Sequence, residues 1–262
     1  MLLTIAIMTM YLAAIFPIAL CYILLLLGLR KLKNWIMLNY NRTIWLLQNM
    51  LFKQLVVLEI DLCDYSKAKD VLVISNHQAV LDCLGLNYIL HCNTRTKYIY
   101  KDSLKFIPIF YQICSLSNFL RVCRCFEKDK DRIETFCKRN MDGCYLVLFP
   151  EGTRLCRKSA VASVSFCNKN KIERFKNVLC PRYKGYKTIL NSGNFSHILD
   201  VTMCWHEKKV PSLLDLFKLQ ERRLEIKTEL IEVTKECESK EYLFELFRRK
   251  DALIECMKSR RG

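Results

Sequence analysis

A chain of 262 residues can bury one substantial core, and its 52% hydrophobic content beside 26% charged residues fits neither a polytopic membrane protein nor a typical soluble enzyme. That mixture suits a soluble-type domain carrying an apolar anchor. The net charge of +16 calls for an anionic counter-surface, and with no zinc finger, basic-aromatic repeat or RNA-binding signature, lipid headgroups are expected and nucleic acid is not.

From Leu2 to Leu29 there is no charged side chain, and the run is nearly all apolar. At ~1.5 Å per helical residue it is more than long enough for a ~30 Å hydrocarbon core. It predicts a retained membrane helix, or a helical hairpin broken at Pro17, in preference to a cleaved signal peptide, because no basic n-region or clear cleavage site is present. Arg30, Lys31, Lys33, Arg42 and Lys53 follow with no acidic residue before Glu59, which places the bulk of the chain on the cytoplasmic side. The fifteen scattered cysteines agree: they read as reduced, buried thiols rather than as a disulfide framework or a zinc site.

Residues 35–62 carry apolar side chains at three- and four-residue spacing among basic and amide residues, the pattern of one or two amphipathic helices. These would lie at a bilayer interface or pack on the domain that follows. VLVIS (Val71 to Ser75) reads as a buried strand, and Ala79 to Leu90 as a helix. KYIY (Lys97 to Tyr100) is a strand candidate, Phe106 to Ile113 a short helix interrupted by Pro108, and Phe119 to Val122 another strand. Asp129 to Asn140 reads as a helix closed by Met141-Asp142-Gly143, and Tyr145 to Phe149 as a strand. A basic segment then leads to a helix over Tyr186 to Leu190 and a strand ending at Trp205. Alternation of strands and helices predicts an α/β domain with a central mixed sheet flanked by helices. The division expected is an anchor at 1–29, an amphipathic linker at 30–68, the α/β domain at 69–220 and a charged, peripheral helical tail at 221–262.

Two strings carry chemistry, each directly after a buried strand, where α/β folds bind ligands. In Asn76-His77-Gln78-Ala79-Val80-Leu81-Asp82, His77 and Asp82 are five residues apart. On one regular helix those positions diverge, so a working pair needs His77 at the strand-to-helix turn and Asp82 in the first turn of the helix. There the carboxylate would fix the imidazole tautomer and leave the other nitrogen as a base; the spacing alone suits a structural hydrogen bond equally well. In Phe149-Pro150-Glu151-Gly152-Thr153-Arg154, Pro150 stiffens the turn, Gly152 allows close backbone approach and Arg154 offers a fork suited to phosphate. Glu151 would orient an arginine or accept a ligand hydroxyl. An ordinary turn with surface charges would carry the same string. No serine elbow is present, which argues against a lipase.

The two strings together resemble the glycerophospholipid acyltransferases of the PlsC-like, 1-acylglycerol-3-phosphate acyltransferase superfamily. Leu120-Arg121-Val122-Cys123-Arg124 is similar to that family's second block, with Arg121 inside its strand and Asn118 where the family usually has glycine. Val178-Leu179-Cys180-Pro181-Arg182 is similar to its proline-containing fourth block, and Pro211 to Asp215 adds likeness to the eukaryotic branch containing lysocardiolipin acyltransferase. The resemblance covers about Lys69 to Trp205. It implies a membrane enzyme, expected at the endoplasmic reticulum, that uses acyl-CoA as co-substrate to acylate a lysophospholipid, without a metal or other cofactor. It implies His77 as general base, Asp82 as its partner, and Arg124, Glu151, Gly152, Thr153 and Arg154 as the group holding the acceptor's phosphate and glycerol, with Pro181 shaping the acyl-donor region. The alternatives are a lipid-binding relative without turnover and a CoA-independent phospholipid transacylase.

Overall fold

The computed structural model describes residues 13–90, 95–107, 109–140, 143–207, 211 and 222–260. Two helices, α1 (Ile15–Leu26) and α2 (Arg30–Leu55), lead into β1 (Val56–Asp61) and β2 (Val71–Ser75). Then follow α3 (Asp82–Ile89), β3 (Thr96–Lys101), a 3-10 turn (Asp102–Phe106), α4 (Phe110–Leu116) and β4 (Leu120–Val122). The remainder is α5 (Phe126–Asn140), β5 (Tyr145–Leu148), α6 (Arg157–Lys169), α7 (Tyr183–Ser192), β6 (His197–Trp205), β7 (Arg222–Glu232), a 3-10 turn (Lys235–Glu238) and α8 (Lys240–Ser259).

The strands form one sheet in the order β1-β7-β6-β2-β5-β3-β4. From β6 through β4 all neighbours run parallel, whereas β7 is antiparallel to β6 and carries β1 parallel beside it. β2 and β5 are buried at every position, because helices cover both faces of the sheet; their continuous apolar sequences are the consequence. On one face Leu72, Ile74 and Leu146 pack with Ile133, Tyr186, Ile189 and Phe247 from α5, α7 and α8. On the other, Val71, Val73 and Val147 pack with Phe52, Leu81, Leu86 and Trp205. The C-terminal ends of β2, β4, β5 and β6 therefore lie along one rim, and the loops leaving them build the site.

Several elements depart from the sequence expectation. The amphipathic stretch is helical only to Leu55; Val56–Asp61 is a strand because β7 offers a parallel partner, Val56 opposite Arg222 and Asp61 opposite Lys227. The sheet thus draws in residues expected to be linker. The charged tail likewise begins as an eleven-residue strand, β7, between β1 and β6, so it is an interior part of the sheet and not peripheral. The basic segment after the second string is the helix α6. Met141 and Asp142, Pro108, His91 and most of the Pro211-to-Asp215 string lie outside the described residues.

Of the expected anchor, residues 1–12 also lie outside the described set. Pro17 sits in the first turn of α1, where its missing N–H costs no bond, and the break falls instead at Gly28, whose φ of +73° turns the chain into α2. Ile18 and Cys21 of α1 pack with Met37 of α2 and Leu116 of α4, so the two helices form a hairpin seated on the domain. Among the described residues no helix is long and apolar enough to cross a membrane, and the spanning helix expected there is without support. Lys33, expected among the charges flanking an anchor, is buried and donates to the carbonyl of Leu116 (3.0 Å), closing the end of α4.

A buried ion pair joins α8 to the sheet. Lys250 contacts the carboxylate of Asp200 and donates to the carbonyls of Val201 (2.6 Å) and Ile74 (3.3 Å). Burial pushes Asp200 up and Lys250 down, each restrained by the other's charge. Lys250→Ala leaves the Asp200 carboxylate buried and alone, and we expect a loss of about 3–5 kcal/mol in urea unfolding. The double variant Lys250→Met/Asp200→Asn should recover most of that loss, which the same measurement reads.

Candidate active site

β2 ends at Ser75, and the loop that follows is held by side chains that imitate strand pairing. Asn76, fully buried, donates to the Met203 carbonyl (2.8 Å) and accepts from the Met203 amide (2.9 Å). Gln78 accepts from the Trp205 amide (3.2 Å). These bonds extend the β2–β6 pairing beyond the last regular residue and fix the position of His77 between them.

Asp82 is the first residue of α3 and is fully buried. Its Oδ2 accepts from the amides of Gln78 (2.6 Å) and Ala79 (2.8 Å) and lies 2.9 Å from His77 Nδ1; its Oδ1 accepts from Trp205 Nε1 (2.8 Å). The five-residue spacing thus resolves as expected, with His77 in the strand-to-helix turn and Asp82 in the first helical turn. Three N–H donors and the imidazole fix the orientation of this carboxylate, which is closed to water. The His77 ring stacks on Phe149, 4.2 Å between centroids, and its side chain is 17% exposed. Among the described residues nothing bonds to Nε2, which leaves that nitrogen for a ligand.

The loop after β5 brings the second string beside the first. Glu151 is buried, and its two carboxylate oxygens accept from the amides of His77 (3.0 Å) and Leu179 (3.1 Å). Neither an arginine nor open space for a ligand hydroxyl meets this carboxylate, which differs from the role read in the sequence. Burial pushes Glu151 up to about 8, against the pull of the Leu179 and His77 amides. Gly152 has φ +69° and its amide closes a turn on the Phe149 carbonyl (3.0 Å). The amide of Leu155 returns to the His77 carbonyl (2.8 Å), so both strings share a bond at each end of the contact. Thr153 is half-buried and Arg154 exposed at the rim.

Arg124 follows β4 and carries φ +66°, a strained conformation for a residue with a side chain. Its pKa is lowered by burial and then by the charges of Arg182 and Arg154, which places all three arginines in one electrostatic neighbourhood. Asn118, standing where the resembled family usually has glycine, has φ +55°, and asparagine is among the residues that tolerate it. Arg121, which interrupts the apolar β4, pairs with Asp102 (3.3 Å) and donates to the Tyr111 hydroxyl (3.2 Å). Pro181 is buried in the fourth loop, which is tied to the second string through Leu179 and through the Arg182 amide on the Pro150 carbonyl (2.8 Å).

The structure therefore gathers His77, Asp82, Glu151, Gly152, Thr153, Arg154, Arg124 and Pro181 at one rim. Sequence reading missed Trp205, whose partner is 123 positions away. It also passed over Arg182, whose only signal was its place after Pro181. Among the described residues no group of His, Cys, Asp and Glu side chains is arranged to hold a metal ion.

A histidine–carboxylate pair thus stands at the rim of a mixed α/β sheet beside three arginines, and comparison with known proteins names the family. The chain belongs to the acyltransferase family, whose model matches residues 58–204. It is 29% identical over 200 residues to "Probable 1-acyl-sn-glycerol-3-phosphate acyltransferase 5" of Arabidopsis thaliana, covering 70% of this chain and 52% of that protein. It is 29% identical over 147 residues to lysocardiolipin acyltransferase 1 of Gallus gallus, covering 51% of this chain and 38% of that protein. The chain thus spans about half or less of the length of these relatives. Among solved structures it matches the 1-acyl-sn-glycerophosphate acyltransferase PlsC of Thermotoga maritima, with a TM-score of 0.50 and 17% identity, over 97% of this chain and 98% of that one. That likeness is one of fold.

Glu151 gives a prediction in which sign matters. With its folded value at about 8 and its ordinary value at 4.5, the native state holds a proton that the unfolded chain has released across that window. Stability from this group is full below the ordinary value and is lost as pH rises toward the folded one. Glu151→Gln removes that slope and leaves one amide facing an NH2 group, at a cost of about 1–3 kcal/mol. Urea unfolding from pH 5 to 8 should show wild type and variant converging as pH rises; a constant gap would refute the assignment.

Proposed function

We propose that this acyltransferase transfers an acyl group from acyl-CoA to the free hydroxyl of a lysophospholipid, lysophosphatidate or a related lysoglycerophospholipid, in phospholipid synthesis or remodelling. The observation that carries the reading is the His77–Asp82 pair, with Nδ1 engaged at 2.9 Å and Nε2 without a partner among the described residues. His77 Nε2 takes the proton of the acceptor hydroxyl as its oxygen attacks the thioester carbonyl. The tetrahedral oxyanion then collapses, the carbon–sulfur bond breaks, and the departing CoA sulfur receives the proton from the imidazolium. The products are a phospholipid ester and CoA thiol. Asp82, fixed by Gln78, Ala79 and Trp205, holds the ring and stabilises its cationic form.

Arg124 and Arg154 hold the acceptor's phosphate, and Gly152 and Thr153 lie against its glycerol. Glu151 serves as a positioning residue, since its oxygens are engaged by the His77 and Leu179 amides. Pro181 holds the fourth loop against the second, on the side assigned to the acyl donor. The names of the relatives, acyltransferases of 1-acylglycerol-3-phosphate and of lysocardiolipin, support a lysophospholipid acceptor.

The hairpin of α1 and α2 supports a membrane location, with the endoplasmic reticulum as the membrane proposed and the domain on its cytoplasmic side. Phe16 is 75% exposed, Leu26 87% and Trp35 63%, in a hairpin that also carries Arg30 and Lys31. Exposed apolar side chains with basic neighbours suit partial insertion below anionic headgroups.

Two measurements test these readings. In an acyl-transfer assay with labelled acyl-CoA and a lysophospholipid panel, His77→Ala should retain its melting transition and lose transfer, and Asp82→Asn should lower kcat by about 10²-fold or more. Undiminished turnover in His77→Ala would remove it from the mechanism. Phe16→Asp/Trp35→Asp should weaken binding to anionic vesicles by at least about tenfold, given about 1.5–3 kcal/mol for burying a large apolar side chain.

A further inference from the structure

Three arginines converge from three separate loops: Arg124 after β4, Arg154 after β5 and Arg182 before α7. The charges of Arg182 and then Arg154 follow burial among the causes that lower Arg124, which places both beside it. Like charges gathered this way repel, and a fold ordinarily relieves the repulsion with carboxylates. Among the described residues none of the three has an ion pair with Asp or Glu. The nearby carboxylates Glu151 and Asp82 are committed to backbone amides, His77 and Trp205.

Arg182 is also placed with care. Its amide is tied to the Pro150 carbonyl at 2.8 Å, which fixes the root of the side chain on the second string. The side chain then crosses Gly152: a Cβ at that glycine would stand 3.1 Å from Arg182 Cδ and Nε and 3.3 Å from Cζ. The missing side chain at position 152 therefore leaves the passage by which Arg182 lies over the loop that carries Arg154. Arg124, exposed at the rim, leaves β4 with φ +66°, which turns the chain there towards the neighbouring loops. A cleared passage and three guanidinium groups without a carboxylate partner among the described residues share one explanation, an anion that sits among them.

We propose that Arg182 is a third phosphate-binding side chain of the acceptor site, and that the three-arginine cradle selects a terminal phosphomonoester over a phosphodiester. This inference rests on the proposed acceptor reading and narrows it. A phosphomonoester carries a charge of about −1.5 to −2 near neutral pH and three free oxygens, whereas a phosphodiester carries one charge and two. Two arginine forks satisfy a monoanion; the third finds an oxygen and a charge only on the monoester.

The test uses the full chain in mixed micelles, with Arg182→Gln and Arg182→Lys beside wild type. Melting transitions of the variants should match wild type, because the side chain is exposed. With labelled acyl-CoA, Arg182→Gln should raise KM for lysophosphatidate about tenfold, the usual effect of losing a charge-assisted bond to phosphate, and leave KM for lysophosphatidylglycerol within about twofold. KM for acyl-CoA should not move. Arg182→Lys should recover part of the loss, since it keeps the charge without the fork. From pH 5 to 8 the wild-type preference for lysophosphatidate should grow as the second phosphate proton leaves near pH ~6, and Arg182→Gln should flatten that rise.

Equal losses on both acceptors would overturn the selection, and a raised KM for acyl-CoA would assign Arg182 to the donor's phosphates instead. Binding of lysophosphatidate without acyl donor separates this inference from the functional reading. If no lysophospholipid is acylated but wild type binds lysophosphatidate about tenfold tighter than Arg182→Gln does, the cradle stands and the transfer reaction falls. If transfer proceeds and both proteins bind alike, the role of Arg182 falls alone.

Discussion

The buried carboxylate of Glu151 is the interaction on which the site's assembly depends. A carboxyl group taken out of water is costly even when it holds its proton, unless its oxygens are hydrogen-bonded. Here the donors are the amides of His77 and Leu179, which belong to two loops 102 positions apart in the chain (179 − 77). Satisfying one buried group therefore obliges the loops after β2 and β5 and the loop before α7 to meet. The Leu155 amide on the His77 carbonyl and the Arg182 amide on the Pro150 carbonyl complete the same junction. His77 and the arginines are brought to one rim by backbone bonds, which leaves His77 Nε2 and the guanidinium groups without protein partners of their own among the described residues.

Behind that junction the sheet supplies rigidity. Asn76 and Gln78 continue the β2–β6 pairing with side-chain amides, and Trp205 at the end of β6 bonds Asp82. β6 is held in turn by β7 along its whole length and by Lys250, which reaches from α8 to the end of β2 and the middle of β6. The histidine–carboxylate geometry is thus linked to residues past 204, where the family match ends. β7 and α8 thus belong to the scaffold of the site and bury surface that a 69–220 domain would have left open.

The arginine side of the site is built with the opposite economy. Positive charges are concentrated and, among the described residues, have no carboxylate partner, at the expense of local repulsion at Arg124. Stability is given up there and recovered elsewhere, in the two apolar layers and the Lys250–Asp200 pair. This division is common where a site must wait for a charged substrate.

Much of the domain was legible in the chain alone because its signals are local. VLVIS and YLVL read as buried strands through unbroken apolar character, and the five-residue spacing of His77 and Asp82 demanded the strand-to-helix turn that is found. What escaped the sequence reading depends on partners far away. Val56–Asp61 continues a helical pattern and becomes a strand only because β7 lies beside it, and the charged start of the tail becomes that strand because β1 and β6 flank it. Glu151 looks like a ligand-binding acid until the Leu179 amide arrives from 28 positions on, and Trp205 is silent until it reaches Asp82. The sequence by itself determined the α/β class, the two strings and the strand-to-helix turn that a His77–Asp82 contact requires, since each follows from side-chain type and short-range spacing. Which strands border the sheet, which amides the Glu151 carboxyl group braces, and which arginine crosses Gly152 were decided only in the tertiary structure, because long-range pairing and burial set those positions.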